Sequence, residues 1–86
     1  MKTYQLTVST PDGYVYDGDV CSLFLRGVEG DLAVMAGHIP FATVVQAGKC
    51  KIETGDGEVR TASVGSGILT VGEEKTILLS GEFEWE

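Results

Sequence analysis

Glycine recurs twelve times in these 86 residues, so often that almost no stretch of ten or more is free of it. Each glycine inside a helix costs about 1 kcal/mol relative to alanine, whereas short strands between turns accommodate the same spacing. The chain is therefore expected to be all-β. At this length it holds one domain, 1–86, with 81–86 forming an acidic, aromatic tail. Apolar residues make up 43% against 22% charged, which suffices for one thin core and is unlike a disordered chain.

Tyr4, Leu6 and Val8 alternate with Thr3, Gln5, Thr7 and Ser9, the period of a strand with one face inward. Thr10-Pro11-Asp12-Gly13 then predicts a hairpin turn, with Pro setting φ, Asp capping its own backbone and Gly taking positive φ. A second strand starts at Tyr14-Val15-Tyr16, is expected to break at Asp17-Gly18-Asp19, and resumes as Val20 to Leu25. Arg26 to Asp31 reads as a loop, Leu32 to Met35 as a strand and Ala36 to Pro40 as a turn. Strands over 41–46, 49–53, 58–64, 66–71 and 75–80 follow, with Gly55-Asp56-Gly57 and Gly72-Glu73-Glu74 as turns. Such spacing predicts a flattened antiparallel β-sandwich or barrel of about ten short strands.

The charge balance, six basic against thirteen acidic residues, gives −7 and argues against nucleic acid or direct lipid insertion, both of which favour clustered cations. The longest uncharged stretch, Leu32 to Gly48, contains Gly37, His38, Pro40 and Gln46 and is too short and polar for a membrane span. The alternating N-terminus is unlike a signal peptide, so the expected compartment is the cytosol. Cys21 and Cys50 are expected as two separate, partly buried thiols, and a single histidine with two cysteines leaves no zinc ligand set.

Catalytic equipment is equally sparse. His38 is the only histidine, and Thr61-Ala62-Ser63-Val64-Gly65 lacks the first glycine of a nucleophile elbow. Gly65-Ser66-Gly67 and Gly48-Lys49-Cys50 match neither a dinucleotide fingerprint nor a P-loop and read as strand bends. Asp17 and Asp19 lack the rest of a calcium loop. No catalytic, cofactor or metal residue is expected, and function by contact becomes the leading expectation. Val28, Ile39 and Phe41 are apolar residues at turns, suited to contact; alternatively, Phe41 starts a core strand and Val28 is an isolated exposed side chain.

Three ordered stretches carry a family resemblance: Thr10 to Val20, Val28 to Thr43 and Val64 to Val71, with Glu29-Gly30-Asp31-Leu32 leading to Gly37-His38-Ile39-Pro40 as the strongest signal. From Tyr4 to about Ser80 the chain resembles the N-terminal domain of the epsilon subunits of F-type ATP synthases, called delta in mitochondria. The resemblance implies a noncatalytic rotor subunit in the central stalk, coupling the gamma subunit to the polar loops of the c-ring for proton-driven ATP synthesis at the cytoplasmic face of the membrane. It matches a c-ring contact to Val28, Glu29, Gly30, Asp31 and Leu32, and a gamma contact to His38, Ile39, Phe41 and Thr43. The sequence stops at Trp85-Glu86, where the family's two C-terminal helices would begin, so ATP binding is not expected. Phe83 and Trp85 offer a short edge strand, a contact with gamma, or a frayed end. A free-standing β-sandwich recognition module is the alternative function.

Overall fold

A computed structural model describes residues 2–28, 30–37 and 39–86 of the chain. Nine strands form: β1 (Tyr4–Thr10), β2 (Gly13–Gly27), β3 (Gly30–Met35), β4 (Phe41–Val45), β5 (Gly48–Thr54), β6 (Val59–Val64), β7 (Gly67–Val71), β8 (Lys75–Ser80) and β9 (Phe83–Trp85). No helix occurs among the described residues, so none is long and apolar enough to cross a membrane. Pro11 and Asp12 make the expected turn from β1 into β2. Gly13 takes φ 124° there, a conformation that side-chain-bearing residues rarely adopt.

β2 organises the molecule. Fifteen extended residues would span about 50 Å, yet the longest dimension of the whole chain is 30 Å, so this strand must coil. Its first half pairs with β1, from Thr10 opposite Gly13 to Tyr4 opposite Val20. Its second half pairs with β3 on one edge and β5 on the other. β2 thereby belongs to both layers and folds one continuous sheet over the core.

The break expected at Asp17-Gly18-Asp19 does not occur, because all three residues stay in the ladder with β1. Two irregularities flank this stretch: the register with β1 shifts at Val15, with Val8 opposite Tyr16 but Ser9 opposite Tyr14, and the pairing with β5 shifts between Val20 and Ser22, where β2 exchanges one set of neighbours for another. Arg26 to Asp31 is likewise no loop. Arg26 opposes Asp31 and Gly27 opposes Gly30, so the β2–β3 ladder continues up to Val28 at the turn. Backbone pairing at these positions needs no burial of side chains, and so charged residues and glycines remain in register.

Antiparallel pairing joins every neighbouring pair except one: β1 runs parallel to β8, Gln5 opposite Lys75 through Ser9 opposite Leu79. Parity requires this exception. The path β1–β8–β7–β4–β2 returns to β1, a ring of five strands, and an odd ring cannot alternate direction at every junction. From β2 the sheet continues outward through β5 and β6 to β9.

Inside sit Leu6, Val8, Val20, Leu23, Leu25, Val34, Val45, Cys50, Ile52, Ala62, Val64, Leu69, Val71 and Leu78, so each strand except β9 supplies a core residue. β9 closes the side by packing Phe83 and Trp85 against that core, with Trp85 edge-on to Phe83 at 4.8 Å and to Tyr16 at 6.0 Å between ring centroids. The tail is thus an edge strand, with Ala62 opposite Trp85 and Val64 opposite Phe83. Cys21 and Cys50 are both buried thiols with no disulfide between them. Cys21 donates to the Thr54 carbonyl oxygen at 3.4 Å.

Candidate functional site

With strands this short, the apolar side chains left outside are found where the chain turns or on the outer sheet faces. The tip of the β2–β3 hairpin is the first such place. Gly30 adopts φ 130°, and Val28 at the turn is 54% exposed. Val28, Gly30, Asp31 and Leu32 share a shallow groove with Gly27 and Thr43. Asp31 is exposed, whereas Leu32 is partly buried against the core. Glu29, the remaining residue expected to meet the c-ring, lies outside the described residues.

The second place is the connection from β3 to β4. Met35, Ala36, Gly37, Ile39, Pro40 and Phe41 form an almost entirely apolar depression. Ile39 is 79% exposed, because Pro40 follows it and holds the chain extended away from either ladder. Phe41 begins β4 opposite Val71 and packs partly against the core, as the core-strand reading of it expects. His38 lies outside the described residues. Thr43, grouped by the resemblance with Ile39 and Phe41, instead borders the hairpin groove, since β4 runs toward Gly27 and meets it at Val45.

A third surface was not singled out from the sequence. Val44 opposes Ile68, and Ile68 opposes Leu79, so three half-exposed aliphatic side chains form one row across β4, β7 and β8. Ala42, Thr70 and Ile77 form the row beside it, giving an outer face without a formal charge in either row. The available signal was the run Ile77-Leu78-Leu79, apolar where a half-buried strand alternates.

Among the described residues, none of these surfaces converges on a nucleophile or an acid–base pair. Burial alone pushes the Cys50 thiol up to about 12 by loss of water. Tyr4 is raised for the same principal reason, and its hydroxyl donates to the Val34 carbonyl oxygen at 2.8 Å. Asp56, in the β5–β6 turn, is lowered chiefly by its hydrogen bond from the Thr54 hydroxyl.

Among curated proteins, the chain is 33% identical over 84 residues to the sodium ion specific ATP synthase epsilon chain of Acetobacterium woodii, covering 98% of this chain and 63% of that one. It is 39% identical over 82 residues to the sodium ion specific epsilon chain of Propionigenium modestum, covering 95% and 59%. The ATP synthase epsilon chain of Bacillus velezensis is 35% identical over 80 residues, covering 93% and 60%. The chain thus spans about three fifths of the length of these relatives. Its fold matches a chain of the Euglena gracilis mitochondrial ATP synthase with a TM-score of 0.90 at 20% identity, covering 96% of this chain and 53% of that one. A chain of the Tetrahymena thermophila mitochondrial ATP synthase central stalk and c-ring structure matches with a TM-score of 0.79 at 17% identity, covering 95% and 66%. Residues 3–86 match the family described as ATP synthase, Delta/Epsilon chain, beta-sandwich domain, and with the nine-strand architecture above this establishes that the chain belongs to that family.

Proposed function

We propose that the chain is a noncatalytic rotor subunit of an F-type ATP synthase that fastens the gamma subunit to the polar loops of the c-ring. The family match over residues 3–86 is the observation that carries this. The geometry is consistent with a bracket between two partners: the hairpin tip and the Ile39 depression lie at opposite ends of β3, whose six residues span roughly 20 Å. In this proposal Val28, Glu29, Gly30, Asp31 and Leu32 meet the ring, and His38, Ile39 and Phe41 meet gamma. Thr43, which the resemblance matches to gamma, stands beside the ring-facing groove instead. Coupling without slip needs a broad complementary surface, since exposed ion pairs each contribute only about 0–1 kcal/mol.

Two of the relatives above are named sodium ion specific, so the driving ion in this proposal is proton or sodium. The site of action is the cytoplasmic face of the membrane, reached through protein contacts. Gentle detergent extraction of membranes followed by affinity purification of this chain tests the assignment. Gamma and c-ring are expected to co-purify with it; a chain recovered alone in the soluble fraction would instead identify a free-standing recognition module.

A further inference from the structure

Three of the six basic residues in this acidic chain, Arg26, Lys49 and Lys51, meet on the outer face of β2 and β5. Phe24 opposes Lys51 across the ladder, and the Lys51 Nζ lies 5.3 Å from the Phe24 ring centroid. Arg26 stands two residues after Phe24 and Lys49 two before Lys51, so the pleat sends all four side chains to one side. Gly48 leaves space for the guanidinium stem: a Cβ there would touch Arg26 Cβ and Cδ at 3.7 Å. The four residues line one groove together with Thr61 and Asp31, the latter opposite Arg26 in the ladder.

Among the described residues, neither Arg26 nor Lys51 forms an ion pair. Lys49 does, and its partner shows the chemistry this stripe accepts. The Lys49 ammonium donates to both carboxylate oxygens of Glu86, at 2.7 and 2.6 Å, while the Ser63 hydroxyl donates to the same group at 2.9 Å.

We propose that the Phe24, Arg26, Lys49 and Lys51 stripe is a second docking surface, and that its occupant is a short acidic peptide segment of a partner protein. Two carboxylates pair with Arg26 and Lys51, Arg26 through its planar fork, and an apolar side chain between them rests on Phe24. Charge selects the class of partner. With −7 on the whole chain, an extended polyanion such as a nucleic acid or an anionic bilayer is repelled beyond the stripe, whereas a short segment straddling Arg26 and Lys51 meets two cations without an ion pair, Lys49 being held by Glu86 and Asp31 standing opposite Arg26.

Fluorescence anisotropy with the full chain tests this, using a labelled Asp/Glu-rich octapeptide that contains one tryptophan, alongside oligothymidylate and phosphatidylglycerol vesicles. Saturable binding of the peptide at about 50 mM salt, weakening by about 300 mM, is expected. Arg26→Glu and Lys51→Glu should each weaken it about tenfold, Lys51→Gln by less, and Lys75→Glu on β8 should leave it unchanged. Absence of peptide binding, equal loss in the Lys75 variant, or tighter binding to the oligonucleotide or vesicles would overturn the proposal. Retained co-purification with gamma and c-ring in the Lys51 variant is expected, which separates this surface from rotor docking.

Discussion

At the scale of single residues, burial decides what side chains of known chemistry can do. Cys50 is an ordinary thiol in sequence, but it faces the core from the middle of β5, and desolvation holds it protonated up to about 12. The same thiol in the unfolded chain ionises near 9. Its folded value is the higher one, so its contribution to stability is fully present below pH 9 and is lost as the pH rises from there toward about 12. Chemical denaturation across that window should show falling stability, and Cys50→Ala should lessen the slope. Native protein at pH 8 is expected to react with a thiol reagent at Cys50 only as it unfolds; rapid labelling would contradict the buried assignment.

At the scale of elements, close backbone approach matters as much as side-chain packing. Gly67 begins β7 opposite both Val45 and Ser80. A Cβ there would overlap the Leu79 carbonyl oxygen and come within 2.9 Å of the Leu79 carbonyl carbon and Ser80 Cα. Backbone atoms locked in a ladder cannot swing aside as a flexible side chain would. Gly67→Ala is expected to destabilise the domain by about 3 kcal/mol or more in urea denaturation, while Gly81→Ala, with nothing within 4 Å of the added carbon, should cost far less. The sequence marks Gly67 only as a strand bend, because register with β8 is what creates the conflict. Register is also what turned the expected loop at 26–31 into a hairpin, for the charges of Arg26 and Asp31 leave their backbone hydrogen bonds unaffected.

On the scale of the whole molecule, the surfaces separate residues that a pattern alone treats alike. Ile39 and Phe41 are neighbours in one turn, yet Ile39 is nearly all exposed and Phe41 is wedged partly into the core. Ile39→Asp should weaken gamma binding while changing stability by no more than about 0.5 kcal/mol; Phe41→Ala should lower both, stability by about 1–3 kcal/mol. Isothermal titration with gamma and a thermal melt of each variant distinguish the two outcomes. Asp31→Lys should weaken c-ring docking more at low salt than at high salt, since an exposed carboxylate acts through a screened field. Equal losses at both salts would remove electrostatics from that contact.

Glycine spacing, alternating strands and the Pro11-Asp12 turn were legible from residue order because each depends on local backbone preference and a period of two. The β8 bounds and the apolar exposure of Val28 and Ile39 follow from the same local rules. What residue order left open is set by strands far apart in the chain. The coiling of β2 across both layers comes from the exchange of β1 for β3 and β5, and the parallel β1–β8 ladder from closing a ring with an odd number of strands. The aliphatic row of Val44, Ile68 and Leu79 and the gathering of Arg26, Lys49 and Lys51 have the same origin, because lateral neighbours in a sheet are chosen by register and no local preference encodes them.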